Sequence, residues 1–420
     1  MDPERPISGK TASVSLAVLN ACHPGAWLRV GGIPLTARTL FHLTESGIER
    51  VALFLEEDRI PEDLERWEES LDLYPKTVRE NIPKGILSIP DLTSPFVYVD
   101  TAHLIDPRLL RALVAASECT LASMDPEDRK KGSIRAGFMR KEDLLAWVNE
   151  GPPSLIRGSR ALFPVDMDPY CPEIRGSLSP YFIEVRSEND AREATWKLIR
   201  SQQKKVMDLP AQYIDPFFEN GLTRLLCDTP ITPNVVTLAG VLIAAGVAWL
   251  FWHGYFLAGA LTAFLVEIFD GVDGKLARTK LCFSKLGEYE NVIDYFCENS
   301  WYVALAMGLR TVGPAGVPGI LAALLILSDT VDNILYTLAD RWHGKSIDLF
   351  SPFDAAFRRI AGRRNIYGMI FVFGFLVGYP LYTFAVAAVW AAMTAAIHGL
   401  RLFGYGRRLE KRMKEEVEGF

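Results

Sequence analysis

The 420-residue sequence carries 45 basic and 51 acidic side chains, a net charge of −6, and six cysteines. So small and negative a charge gives no support to a nucleic-acid partner. Cysteines scattered at 22, 119, 171, 227, 282 and 297, with no CxxC pair, read as reduced structural thiols rather than a disulfide framework. The length points to two or more domains. A polar first half and a second half rich in apolar runs predict a soluble domain followed by a membrane domain, with mean hydropathy slightly positive. The opening Met-Asp-Pro-Glu-Arg-Pro lacks a charged-then-apolar leader, so the soluble half is expected in the cytoplasm.

Ala12 to Ala21, rich in Val and Leu, predicts a first strand. After a turn-rich stretch, Thr36 to Ser46 has helical periodicity, Gly47 caps it, and Val51 to Leu55 predicts a second strand. Gly85 to Ile89 and Phe96 to Val99 read as further strands, and Asp106 to Ser117 as a helix. Alternating strands and helices predict an α/β, Rossmann-like sheet with mostly parallel strands. Val30-Gly-Gly-Ile-Pro-Leu-Thr-Ala-Arg-Thr-Leu40 and Phe96-Val-Tyr-Val-Asp100 are similar to motifs of the sugar-phosphate nucleotidyltransferases. That resemblance implies a metal-binding aspartate at Asp100. Those enzymes cradle a nucleoside triphosphate in a Gly-rich loop after the first strand, where this chain reads Asn20-Ala-Cys-His-Pro-Gly25. Pro24 removes a backbone donor and small glycines are missing, so no phosphate cradle is expected there. The usual catalytic lysine is not evident either, Arg29 being the nearest cation. The domain reads as a degenerate, structural or regulatory one, and His23 as a loop residue.

Tyr181 to Val185 predicts a strand and Asp190 to Lys205 a long polar helix that closes the soluble domain, residues 1–205. In a linker of residues 206–230, Tyr213 to Leu226 places Ile214, Phe217, Phe218, Leu222, Leu225 and Leu226 at helical spacing. This predicts an amphipathic helix lying on the membrane, with a short helix of the soluble core as the alternative. Apolar segments then fall at 235–252, 255–269, 292–309, 317–338, 366–377 and 381–402, predicting an all-α domain of six spans over residues 231–420. Basic residues cluster after the second, fourth and sixth spans, while the opposite loops are short and nearly uncharged. By the positive-inside rule both termini face the cytoplasm.

The most informative stretch is Asp270 to Asp294: Asp-Gly-Val-Asp-Gly-Lys-Leu-Ala-Arg, then Gly287, then Glu-Asn-Val-Ile-Asp. Asp270 and Asp273 stand i, i+3, and Glu290 and Asp294 stand i, i+4, so each pair shares a helix face. Four carboxylates on two helices suit hard divalent cations, and at the end of apolar spans they are costly without a function. The block resembles the signature of the CDP-alcohol phosphotransferases, Asp-x2-Asp-Gly-x2-Ala-Arg-x8-Gly-x3-Asp-x3-Asp. Asp270, Asp273, Gly274, Ala277, Arg278 and Gly287 fall on it. Strict counting then puts Asn291 and Tyr295 at the last two aspartates. Deleting one residue after Gly287 aligns Glu290 and Asp294 instead, which restores the charge that two metals need. Thr232-Pro-Asn234, followed by Thr237, is similar to the motif opening the membrane domain of these enzymes.

The resemblance implies six transmembrane helices, commonly in a homodimer. It implies two divalent cations, Mg or Mn, on Asp270, Asp273, Glu290 and Asp294, with Asp294 as the base that takes the acceptor proton. Thr232, Pro233, Asn234, Gly274, Ala277, Arg278 and Gly287 would shape the nucleotide site. A CDP-linked donor, CDP-diacylglycerol or a CDP-polyol, would pass its substituted phosphoryl group to a polyol or polyol-phosphate hydroxyl in a lipid membrane, releasing CMP. Arg358, Arg359, Arg363 and Arg364 sit where family members using a phosphorylated acceptor, such as inositol phosphate or glycerol phosphate, carry basic residues, or equally form a cluster against anionic lipid. Asp329 and Asp332, i, i+3 in the fourth span, suit pairing with these arginines more than binding acceptor hydroxyls. Family members with this fusion include ones that make a CDP-inositol and condense it with inositol phosphate. A catalytically lapsed scaffold or nucleotide-binding protein is the alternative, and metal dependence separates the two.

Overall fold

The computed structural model describes residues 14–55, 78–82, 94–127, 134–143, 145, 159–171, 174, 176–283 and 289–418. The expected strand at 85–89 lies outside them. Two compact units form: one comprises Met1–Gln203, Arg224–Pro230 and Leu276–Phe283, the other Lys204–Thr223, Ile231–Lys275 and Ser284–Phe420.

The first unit is built on a seven-stranded sheet. Its strands are β1 (Leu16–Asn20), β2 (Arg50–Phe54), β3 (Val78–Ile82), β4 (Phe96–Asp100), β5 (Thr120–Ala122), β6 (Ala136–Met139) and β7 (Arg160–Leu162), in the order β7-β5-β6-β4-β1-β2-β3. Central β1 pairs in parallel with β2 and β4, Val18 standing opposite Ala52 and Tyr98. β6 runs antiparallel between β4 and β5, so the sheet is mixed rather than wholly parallel. Both faces are covered, which is why β1 and β4 read as continuous apolar runs. Ala17, Leu19, Val97 and Val99 join one core cluster, which also takes in Leu40 and Leu43 of α1 (Leu35–Glu45) and Leu109 and Leu113 of α2 (Pro107–Val114). Leu16, Val18, Ala52 and Phe96 join another. Leu19, Leu43 and Leu53 are fully buried, and truncating any of them to Ala costs roughly 2–5 kcal/mol. Asp106 caps α2, accepting from the Arg108 amide at 3.0 Å, with Pro107 in the first turn. A reciprocal Ser187–Asp190 capping box starts α3 (Glu188–Ser201). The Gly31-Gly32 pair turns the short hairpin between Arg29–Val30 and Ile33–Pro34, with φ of +64° and +81° that only glycine adopts readily.

In chain order α3 is followed by α4 (Leu209–Tyr213) and α5 (Asp215–Cys227), on which Tyr213, Phe217, Phe218 and Leu225 remain exposed. The second unit is helical: α6 (Pro233–Trp252), α7 (Phe256–Lys280, whose last turn falls in the first unit), α8 (Glu290–Gly308), α9 (Val317–His343), the short α10 (Pro352–Phe357), α11 (Arg364–Leu376) and α12 (Pro380–Glu418). Its core mixes aromatics (Phe251, Tyr302, Tyr367, Phe371, Phe375, Phe384) with alanines (Ala244, Ala263, Ala304, Ala387, Ala388, Ala391) that let helices approach closely. The Trp301 indole donates to the Ala244 carbonyl at 2.9 Å and joins α8 to α6. Leucines and aromatics such as Leu242, Trp249, Leu327, Phe373 and Leu400 point outward, as lipid-facing positions do.

Among the described residues three helices are long and apolar enough to cross a membrane: Pro233–Trp252, Val317–His343 and Pro380–Gly406. That falls short of the six expected. α11 has 13 residues, α7 ends in the charged block, and α8 opens with Glu290, Asp294 and Glu298, so their composition alone does not mark them as spans.

Candidate active site between three helices

Pro233 begins α6, with Thr232 just before it and Asn234 exposed beside it. One turn further in, Thr237 Oγ1 donates to Asp273 Oδ2 at 2.6 Å. Asp273 is buried on α7, and its other oxygen, Oδ1, has no hydrogen-bond partner. Thr237, Gly240, Asp270, Asp273, Asp294 and Cys297 line one small, partly open cleft between α6, α7 and α8. Three of the four expected metal ligands therefore meet there. The side chain of Glu290, like all of Gly287, lies outside the described residues.

The two alignments of the signature's second half part at this cleft. Asp294 lines it with Asp270 and Asp273. Tyr295, its rival under strict counting, instead shares a 2.7 Å hydrogen bond with Thr330 of α9.

Arg364, at the start of α11, is the cation of the cluster. It is ion-paired to Asp270 and reaches Glu298 Oε1 at 3.1 Å and Asp294 Oδ2 at 3.7 Å. The sequence grouped Arg364 with Arg358, Arg359 and Arg363 for the acceptor, but the four diverge. Arg358 is buried between Asp208 (3.2 Å) and Asp348 (3.5 Å), and burial lowers its pKa. Arg363 lies over the Tyr336 ring at 4.4 Å, and Arg359 is exposed. Asp332 and Asp329 take other partners than the expected arginines: Asp332 holds His398 Nδ1 at 2.6 Å, and Asp329 accepts from Asn333 at 3.1 Å. Gly274 and Ala277 continue α7 past Asp273; Arg278, on the exposed side, bonds Gln202 Oε1 at 3.3 Å.

Sequence reasoning missed Glu298 as a member of the site, and named Thr237 as part of a motif without its bond to Asp273. Glu298 was readable as one more i, i+4 step from Asp294 along the same face of α8. Thr237 closes the Thr-Pro-Asn-x-x-Thr motif but had no partner until α6 and α7 were packed.

The orphaned Asp273 Oδ1 beside Asp270 and Asp294 fits a hard divalent cation: an oxygen-only donor set, with one buried lone pair left without a protein proton. Among the described residues, however, no three His, Cys, Asp or Glu side chains already converge at metal-binding distance.

In the first unit, Asp100 ends β4 as expected, but its surroundings are not those of a metal ligand. Its Oδ1 accepts from the Ala102 amide at 3.1 Å, and its Oδ2 faces Arg135 Nη1 at 3.3 Å and His103 Nδ1 at 3.7 Å. Burial acts to raise the Asp100 pKa; hydrogen bonding and charge from His103, the Ala102 amide and Arg135 outweigh it and hold the carboxyl below the usual value. The loop after β1 folds into a 3₁₀ turn over Pro24–Trp27 whose amides are already occupied. Cys22 N bonds Asn20 Oδ1 at 3.2 Å, Gly25 N bonds His23 Nδ1 at 2.9 Å, and Ala26 N bonds the His23 carbonyl at 2.9 Å. A phosphate arriving there finds few free donors, consistent with the missing glycines.

Residues 230–398 match the model of the CDP-alcohol phosphatidyltransferase family. A "Bifunctional IPC transferase and DIPP synthase" of Rubrobacter xylanophilus is 29% identical over 173 residues, 40% of this chain and 37% of that protein. One of the same name from Thermococcus kodakarensis is 24% identical over 341 residues, 73% of this chain and 76% of that protein.

Proposed function

The chain carries a CDP-alcohol phosphatidyltransferase domain over residues 230–398, and on that premise we propose that it is a membrane transferase moving a substituted phosphoryl group from a CDP-linked donor to an alcohol. The observation that carries the reading is the cleft in which Asp270, Asp273 and Asp294 meet with Asp273 Oδ1 unpartnered. The relatives named for IPC transferase and DIPP synthase favour a CDP-polyol donor and a polyol-phosphate acceptor over CDP-diacylglycerol. Six spans with both ends cytoplasmic remain the topology we infer, the three less apolar helices crossing in the company of the three apolar ones. A homodimer, as the family resemblance implies, belongs to the same reading.

Divalent cations, Mg or Mn, which Asp270, Asp273, Glu290 and Asp294 would hold, would supply charge neutralisation of the diphosphate. The chain's own groups do the rest. The acceptor hydroxyl oxygen attacks the phosphorus that carries the donor's substituent, its bond to the CMP oxygen breaks, and CMP leaves. Asp294 takes the hydroxyl proton. Thr237 holds Asp273 by one oxygen and leaves the other without a protein partner. To the nucleotide we assign the motif residues Thr232, Pro233, Asn234, Gly274, Ala277, Arg278 and Gly287. Arg358, Arg359 and Arg363 remain candidates for an acceptor phosphate.

The first unit, in this reading, does not activate a nucleotide itself: Asp100 is engaged by Arg135 and the loop amides are occupied. The CDP-linked donor is then made by a separate cytidylyl transfer. The deciding assay is CMP release by the purified chain with CDP-polyol or CDP-diacylglycerol, Mg or Mn, and a panel of polyols and polyol phosphates. Metal-dependent CMP release that Asp273→Asn abolishes supports the proposal. Absence of release from every donor, by protein that remains folded, favours the catalytically lapsed scaffold.

A further inference from the structure

We infer that Arg364 is a resident cation of the active-site cleft, standing where a second divalent ion would otherwise lie, so that this chain binds one divalent ion there. The inference rests on the transferase reading above and deepens it.

Arg364 Nη2 is paired with Asp270 of α7, while Nη1 reaches Asp294 Oδ2 at 3.7 Å and Glu298 Oε1 at 3.1 Å, both on α8. The guanidinium thus spans the two helices whose carboxylates face the cleft. A guanidinium does not deprotonate near neutral pH and presents its donors in a planar fork. An ion bridging Asp270 to Asp294 would have to share both carboxylates with that fixed positive charge, in a partly buried site where like-charge repulsion is weakly screened. Asp273 differs: its Oδ2 is held by Thr237, its Oδ1 has no partner, and neither is paired to Arg364. Asp270 and Asp294 are therefore neutralised from within the chain, while Asp273 Oδ1 is not.

Glu298 supports the assignment. It stands one turn past Asp294 and adds a carboxylate beyond the Asp-x3-Asp pair. Its 3.1 Å contact with Nη1 offsets the extra charge Arg364 brings and holds the fork between the helices.

The test is the stoichiometry of Mn²⁺, added alone, on the purified full-length chain in detergent, by calorimetry and by loss of the free-Mn²⁺ paramagnetic signal. The wild type is expected to bind one ion per chain with high affinity, and Arg364→Gln two. Arg364→Lys, which keeps a positive charge, is expected to bind one. Two ions on the wild type overturn the inference without any variant, so a poorly folding Arg364→Gln leaves it testable. One ion on both wild type and a folded Arg364→Gln also overturns it. CMP release separates the layers: an active wild type with two ions refutes the resident cation alone. A folded wild type that neither binds Mn²⁺ nor releases CMP refutes the transferase reading and this inference with it.

Discussion

Thr237 and Asp273, 36 residues apart on α6 and α7, are joined by a 2.6 Å hydrogen bond that engages Asp273 Oδ2 and leaves Oδ1 without a partner. A hydroxyl that donates to one oxygen of a carboxylate orients the other, and such supporting bonds matter to metal affinity nearly as much as the ligands. Thr237→Val keeps the shape and removes the donor. The expected result is a roughly 10–100-fold weaker Mn²⁺ affinity, with CMP release falling in parallel at limiting metal. Unchanged affinity would show that Asp273 needs no support from α6.

The choice between Asp294 and Tyr295 can be decided by paired substitutions. Asp294→Asn is expected to lower kcat for CMP release by about 10²–10⁴-fold, the usual contribution of a general base. Tyr295→Phe removes only the bond to Thr330, so activity should stay within a few-fold while the melting temperature falls slightly. The reverse pattern would restore the strict count of the signature.

Asp100 gives a prediction about pH. Its pKa in the folded chain lies below the unfolded value, so its ionised form stabilises the fold. That contribution is present above the unfolded value near 3.8 and is lost as pH falls through the lower, folded value. Arg135→Gln should weaken this dependence, as read by thermal melting of the wild type and variant between pH 5 and 3. The same preparation, given CTP, Mg and a polyol phosphate, should yield no pyrophosphate, and measurable pyrophosphate release would show an active first unit.

Asp215 behaves oppositely. It is buried at the start of α5 near Glu219 and Asp208, its Oδ2 accepting from Asn365 at 3.3 Å. Burial first, then those two carboxylates, raise its pKa to about 7. A carboxyl raised in the folded state favours folding while protonated, and stability drains as pH rises from the unfolded value through about 7. Asp215→Asn should therefore melt several degrees higher than wild type at pH 8 and show little difference near pH 4.

Much of this was legible in the chain because local patterns were strong. The buried strands 16–20 and 96–100 announced themselves as apolar runs, and the capped helices at 35–45 and 107–114 by periodicity and turn residues. Strand 78–82 was missed because Val-Arg-Glu-Asn-Ile, at the sheet edge, carries few of the residues that mark a buried strand. Strand 136–139, Ala-Gly-Phe-Met, was missed because its small residues have weak β propensity and its antiparallel pairing is tertiary. In the site, Asp270, Asp273 and Asp294 were found because helical spacing puts them on shared faces. Arg364 was assigned to a basic run because its partner Asp270 lies 94 residues away, and no local spacing reports that pairing.

The indole bond between Trp301 and Ala244 bears on the shortened signature. Trp301 lies seven residues beyond Asp294 (301 − 294), and Ala244 seven beyond Thr237 (244 − 237), so cleft and indole bond are rungs of one ladder with equal side rails. The two helices are thereby indexed in phase. Adding or removing one residue within either rail would swing every later side chain of that helix by about 100° and break the match. On the alignment that pairs Glu290 with Asp294, the one-residue contraction of the signature precedes Glu290, ahead of the lower rung rather than between the rungs. A change of length that would be ruinous a few positions later would, at that place, leave the count between the rungs untouched.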